Sequence, residues 1–142
     1  MMPTPPQPIL YQETNDGVDW SSLKERLRSD NFDNGRSPEQ LRKSFENSFA
    51  VVFAYSGTEI VGTARALSDG ICNAYVVDVW TYTPFRRMRI AGTMMSILEN
   101  RLLGQHVALF TEDAAGFYVV HGYAEERVGL SKVIGKWLEN DA

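Results

Sequence analysis

One cysteine, Cys72, and two histidines, His106 and His121, are all that the 142 residues offer as thiolate or imidazole donors. A lone thiol builds no disulfide framework and no cysteine-based metal site, so no metal is expected and a reduced, cytoplasmic setting is the default. No apolar run approaches the ~20 residues that a membrane span needs, so no membrane partner is expected. The stretch "MMPTPPQPIL" (1–10) lacks a basic region followed by an apolar one and does not read as a signal peptide. Its four prolines predict an extended or frayed lead-in over 1–8. Positive charge is in the minority, with 14 Lys plus Arg against 18 Asp plus Glu and a net charge of -4. General nucleic-acid binding needs broad positive potential, so it too is not expected.

What is present suits one globular core. Apolar content of 44% and charge of 23% are ordinary values. A chain of this length buries roughly two-thirds of its unfolded surface and needs no staple. A single domain over 1–142 is expected.

Along the chain, "ILYQET" (9–14) alternates weakly and suggests a first strand. "DWSSLKERLRSD" (19–30) places Leu23 and Leu27 four apart behind Asp19 or Ser21 as a cap, which predicts a helix. Ser37-Pro38-Glu39-Gln40 is a capping-box pattern with proline at the first helical position, and its helix should run to about Glu46. "FAVVFAY" (49–55), "IVGTARAL" (60–67) and "ICNAYVVDVWTY" (71–82) are rich in β-branched and aromatic residues. Hairpin-type turns separate them, so they predict a three-stranded antiparallel meander. Ile90, Met94, Ile97, Leu98 and Leu102 then follow the helical period, with Gly104 as a stop. A short strand over 106–110 follows, then a helix over 113–122 capped by Asp113, and two weak strands near 123–126 and 132–135.

Against the acidic background, "PFRRMRIAG" (84–92) gathers three arginines and small residues at a strand-to-helix junction. A helix start presents unpaired backbone N–H groups and the positive end of the helix dipole, which is the physics of a phosphate cradle. No Gly-Lys-Ser/Thr is present, so this is not a P-loop. The three-glycine spacing of a dinucleotide fingerprint is missing as well. On the local string alone, a solvated basic turn is an equal alternative.

The order of motifs from 49 to 126 resembles the Gcn5-related N-acetyltransferase (GNAT) superfamily. The "VDVWT" strand (77–81) resembles the family's central strand. Arg86, Arg89 in a usual glycine slot, and Ala91 fall on its cofactor signature. Ala114, Phe117, Tyr118, Gly122 and Tyr123 fall on its second motif. The resemblance implies an α/β (mixed α+β) single GNAT-type domain. Its mostly antiparallel central sheet would be splayed between the fourth and fifth strands and flanked by helices. It implies acetyl-CoA as cosubstrate in that gap. Val79, Trp80 and Thr81 would bond pantetheine and the acetyl carbonyl through the main chain. Arg86, Arg87, Met88, Arg89, Ile90, Ala91 and Gly92 would wrap the pyrophosphate. Tyr118 would protonate the departing thiolate. Thr111 stands where many members have a cofactor-binding asparagine, Thr83 where proline is common, and Arg89 where a glycine is usual. A non-glycine residue there is strained if the site needs a positive φ.

Transfer to an amine requires the neutral amine, and for an alkylamine that titrates near ~10.4 this costs roughly 4–5 kcal/mol at pH 7. Asp78, expected among apolar neighbours that raise its pKa, is the candidate base. A structural, hydrogen-bonded carboxylate is the equal alternative. Glu112 and Asp113 are weaker candidates, being placed as helix-start caps. Arg65 reads as core rim more readily than as a contact to an anionic acceptor. The expected reaction is acetyl transfer to a primary amine on a small molecule by direct attack in a ternary complex. A protein or peptide acceptor and a non-catalytic CoA-holding module are the alternatives. The sequence is compatible with a homodimer and demonstrates none.

Overall fold

The computed structural model describes residues 7–126 and 128–140, in two compact units divided between Leu109 and Phe110. The first unit holds a five-stranded sheet in the order β1-β2-β3-β4-β5: β1 (Ile9–Gln12), β2 (Ala50–Ser56), β3 (Glu59–Ser68), β4 (Asn73–Thr81) and β5 (His106–Ala108). The first four strands run antiparallel in turn and β5 joins β4 in parallel. The expected meander is therefore present, because its two tight turns connect strands whose buried faces match in register.

Helices α1 (Trp20–Ser29) and α2 (Pro38–Glu46) cover one face of the sheet. Leu23, Leu27, Leu41 and Phe45 meet Val51, Phe53, Ile60 and Trp80 there in one buried cluster. Rings of Trp20, Phe45 and Phe53 pack at centroid distances of 5.2 to 6.0 Å. Asp19 caps α1 by accepting from Ser22 N at 3.0 Å. Ser37 and Gln40 form the full capping box, each side chain accepting from the other's backbone N–H. The S-P-E-Q pattern thus predicts both hydrogen bonds correctly.

Helix α3 (Ile90–Asn100) buries Ile90, Met94, Met95 and Leu98 on the opposite face. Its approach is close: a Cβ on Gly62 would lie 3.0 Å from Met94 Cε and 3.2 Å from Ile90 Cγ2. The glycine on β3 is what lets the helix settle on the sheet.

In the second unit, α4 spans Ala115–Val120, shorter than the 113–122 expected. Ala114 is its N-cap and no side chain caps the helix, so Asp113 does not play that part. Thr111 Oγ1 instead accepts from Ala114 N at 3.0 Å. The expected strands near 123–126 and 132–135 are not formed among the described residues. Residues 124–126 and 132–135 are exposed, so neither stretch has the buried face that a weak strand needs. Residues 1–6, most of the expected lead-in, lie outside the described residues. Among the described residues no helix is long and apolar enough to cross a membrane.

Candidate active site

Strands β4 and β5 pair only from Asn73↔His106 to Tyr75↔Ala108. From Val76 to Thr81, β4 keeps β3 as its only strand neighbour among the described residues. The sheet is therefore open along the second half of β4. The β3–β4 register jumps from Arg65↔Val77 to Thr63↔Trp80, so Asp78 and Val79 together face Ala64 in a bulge. Asp78 sits at φ 54, the left-handed region that a non-glycine residue enters at a cost. Thr63 Oγ1 donates to Asp78 O at 2.8 Å and braces the bulge.

Past the bulge, strand alternation decides which backbone groups face the open edge. Tyr82 N donates to Val61 O at 2.8 Å, and Trp80 pairs with Thr63 two residues back, so both direct their main chain at β3. Thr81, between them, turns its main chain the other way. Its side chain shares the α3 face of the sheet with its partner Gly62. Thr81 Oγ1 is also buried with no hydrogen-bond partner among the described residues. An orphaned buried hydroxyl beside an open strand edge is a place for a polar ligand group. Trp80 is 2% exposed, and its ring enters the α1–α2 core.

The junction after β4 is a short 3-10 turn, Thr83–Phe85, followed by Arg86 to Arg89 in exposed, irregular chain. Arg87 (φ 65) and Arg89 (φ 62, ψ 19) both take the left-handed conformation. The strain expected for an arginine in the glycine slot is real, and a second arginine shares it. Arg89 is the N-cap of α3, yet no side chain caps that helix end and no acidic residue lies in its first turn. The first turn-closing bond is Thr93 N to Arg89 O at 3.1 Å. The N–H groups of Ile90, Ala91 and Gly92 precede it and have no partner within the helix. Arg86, Arg87 and Arg89 form no ion pair with the described residues. An uncapped helix start with unpaired cations around it attracts anions. Ile90 is 1% exposed, so only its backbone faces this end while its side chain fills the core.

The expectation for Asp78 needs correction. Its neighbours are not apolar but cationic. Asp78 Oδ1 and Oδ2 accept from Arg36 Nη2 and Nη1 at 2.9 and 3.1 Å, and Oδ2 accepts from Arg65 Nε at 2.5 Å. Burial pushes its pKa up, but the charges and hydrogen bonds of Arg36 and Arg65 outweigh it and hold the carboxyl below the usual range. A carboxylate so committed is a poor proton acceptor, and the structural reading prevails. Arg65 Nη1 reaches on to Ser44 O and Ser48 Oγ, both at 3.3 Å. Arg65 thereby meets the negative end of α2, and together with Arg36 it ties α2 and the loop after α1 to the bulge.

Asp30 and Arg36 carry no signal in the sequence. Asp30 closes α1, and its Oδ2 accepts from Trp80 Nε1 at 2.9 Å and from Thr83 N at 3.1 Å. Partners 50 and 53 residues away leave no local pattern to read.

In the second unit, Tyr118 is 8% exposed and packs edge-on against Phe117 and Tyr123 at 4.9 and 5.7 Å. Burial raises its phenol pKa, so it keeps its proton through neutral pH.

One relative of this chain is a chloroplastic serotonin N-acetyltransferase 2 from Oryza sativa subsp. japonica, 29% identical over 124 residues. That match takes in 82% of this chain but only 62% of the relative's length. Among solved structures, a GNAT-family putative acetyltransferase from Xanthomonas campestris pv. campestris superposes with a TM-score of 0.78 at 21% identity, over 94% of this chain and 99% of the other. Glucosamine-6-phosphate N-acetyltransferase from Arabidopsis thaliana superposes with a TM-score of 0.69 at 15% identity, over 89% and 99%. At such identities the two structures speak for the fold alone. The family model for the acetyltransferase (GNAT) family matches residues 18–123, which span the open strand, the uncapped helix start and Tyr118. With that match over most of its length, the chain belongs to the GNAT acetyltransferase family.

Proposed function

We propose that this protein transfers an acetyl group from acetyl-CoA to a primary amine on a small molecule by direct attack in a ternary complex. The observation that carries the reading is the open half of β4 leading into an uncapped, arginine-flanked helix start. Acetyl-CoA has both an amide-bearing arm and a pyrophosphate, and these features suit the two in that order. Thr81, with its free main-chain edge and orphaned hydroxyl, would meet the arm, with Val79 beside it. Trp80 serves by holding the strand, since its own backbone pairs with β3. Arg86 to Gly92 would take the pyrophosphate, mainly through the N–H groups of Ile90, Ala91 and Gly92 and the charge of the arginines.

In the reaction the neutral amine nitrogen forms a bond to the thioester carbonyl carbon and the C–S bond breaks. The thiolate takes a proton, which we assign to the Tyr118 hydroxyl, the ammonium proton leaves to solvent, and solvent returns one to the Tyr118 phenolate. Asp78 in this reading shapes the bulge and does not carry that proton. A small acceptor is supported by the relative by sequence whose name specifies one, serotonin.

The test is a panel of small amines and amine-bearing peptides assayed for acetyl-CoA-dependent thiol release, with thermal shift by CoA alongside. Acetyl-CoA should raise the Tm, as any ligand selective for the folded state must. No shift at millimolar acetyl-CoA in folded protein would remove the acyltransferase reading. A shift with no release across the panel would favour a module that holds CoA without turnover.

A further inference from the structure

We propose that Asp30 is a positioning residue for the loop that receives the cofactor, fixing that loop from helix α1 without touching the ligand. The inference rests on the cofactor reading above but concerns a residue that the family motifs do not include.

The geometry converges on the turn between strand and helix. One carboxylate oxygen of Asp30 accepts from both Trp80 Nε1 (2.9 Å) and Thr83 N (3.1 Å). Trp80 is the penultimate residue of β4, and Thr83 is the first of the 3-10 turn that precedes the arginines. Asp30 is itself held, because its own N–H closes α1 on Arg26 O at 3.0 Å. One turn back on the same helix, the Arg26 guanidinium lies 4.5 Å above the Tyr82 ring, and Tyr82 stacks on Phe85 at 6.2 Å. Helix α1 therefore grips 80, 82 and 83 together.

That grip matters because the segment beyond it is strained. Arg87 and Arg89 both hold left-handed φ values, and such conformations persist only where the surroundings over-determine them. With Thr83 fixed at one end and Ile90 buried at the other, the six residues between have little freedom to relax. The N–H groups at the helix start are thus aimed before any anion arrives, which spares the ordering cost on binding.

The ionised state of Asp30 works against its position. Burial pushes its pKa up, but the bonds from Thr83 and Trp80 and the charge of Arg86 outweigh that and keep it a carboxylate. A negative charge beside an anion cradle weakens the attraction, so the hydrogen-bond geometry must be what the residue contributes. Asp30→Asn and Asp30→Ala separate the two effects: the amide keeps an acceptor oxygen and drops the charge, whereas alanine drops both.

The experiment has a free-protein arm and a ligand arm. In the free protein, Asp30→Ala should speed amide hydrogen exchange at Thr83, Phe85 and Arg86, the hydrogen-bonded amides of the turn, by about 10-fold or more, the scale of a lost hydrogen bond to a charged group. Asp30→Asn should stay within about threefold of the parent. By titration with CoA, Asp30→Ala should raise Kd by about 10-fold or more, and Asp30→Asn should bind as tightly as the parent or tighter. The loss should fall on KM for acetyl-CoA and not on kcat. An Asp30→Ala loop that exchanges like the parent's, or an Asn variant as impaired as the Ala one, overturns the proposal. Should the alanine variant not fold, Trp80→Phe removes one of the two donors and keeps an aromatic ring, smaller than the indole, in the core. Faster exchange at Thr83, Phe85 and Arg86 in that variant supports the role, and unchanged exchange ends it. A parent that binds no CoA defeats the cofactor reading, while the exchange arm still decides the positioning.

Discussion

Arg36 and Asp78, 42 residues apart, meet in a two-pronged ion pair with N–O distances of 2.9 and 3.1 Å, buried to 7% and 13% side-chain exposure. The carboxylate also holds Arg65, so one negative group organises two guanidinium groups that reach it from different elements. Such an arrangement adds little over an apolar packing, but removing the shared partner strands two cations in a place with poor access to water. The contact also fixes the loop after α1 to the bulge in the half of β4 that lies beyond its pairing with β5.

This gives a stability prediction with a sign. The folded-state pKa of Asp78 is depressed, so the stability it contributes is fully present above the unfolded value near ~3.9 and is lost as pH falls through the folded one. Asp78→Asn should cost about 3–5 kcal/mol at pH 7, the scale of breaking a buried pair. Below pH ~3.9 the gap between parent and variant should narrow. Denaturant melts at pH 7 and at acid pH measure both. A variant as stable as the parent at pH 7 would mean that the pair is replaced by water without loss.

Arg89 yields a second prediction, in the opposite direction. At φ 62 it carries a left-handed cost of about 1–2 kcal/mol, which glycine does not. Glycine adds unfolded-state freedom worth about 0.5–1 kcal/mol, so Arg89→Gly should leave the Tm unchanged or raise it by a few degrees. Arg101, an exposed residue with φ -87 at the other end of the same helix, is the control. Arg101→Gly should lower the Tm, because no strain is relieved there. Equal losses at both positions would show that Arg89 is not strained.

The third prediction concerns Ala91. Its backbone N–H is one of the free donors at the start of α3, and its side chain is partly exposed. Ala91→Glu places bulk and a negative charge among groups that attract anions, and the helix start itself tolerates an acidic residue well. CoA binding should be abolished while circular dichroism and Tm remain close to the parent's. Unchanged CoA affinity in the variant would reduce the junction to a turn.

The sequence discloses most where the signal is local. The box at Ser37, the meander between Ala50 and Thr81 and the helix from Ile90 all depend on neighbours within a few residues, and all appear as expected. The strain at Arg89 is legible too, since a side chain in a glycine slot has a predictable cost. Asp78 misleads because its environment is made by Arg36 and Arg65, on another loop and another strand, which the apolar residues beside it in sequence do not disclose. Asp30 is hidden for the same reason: a polar residue at a helix end is ordinary until Trp80 and Thr83 fold against it. The stretches near 123–126 and 132–135 mislead in a different way, because a short run reads as a strand only where a partner strand accepts it.

The last prediction rests on Tyr118. A phenol with a pKa raised by burial stays protonated through neutral pH and can give its proton to a thiolate as the C–S bond breaks. Tyr118→Phe keeps the ring that packs against Phe117 and Tyr123 and deletes only the hydroxyl. The fold and CoA affinity should therefore change little. Turnover on an acceptor found in the amine panel should drop roughly 10²-fold, the low end for losing a general acid. The comparison is sharpest in single-turnover mode, where product release cannot mask the chemical step. Parent-like rates in that mode would return Tyr118 to packing and leave protonation of the thiolate to water. Lost turnover with unchanged CoA binding is the result that separates a catalyst from a protein that only holds CoA.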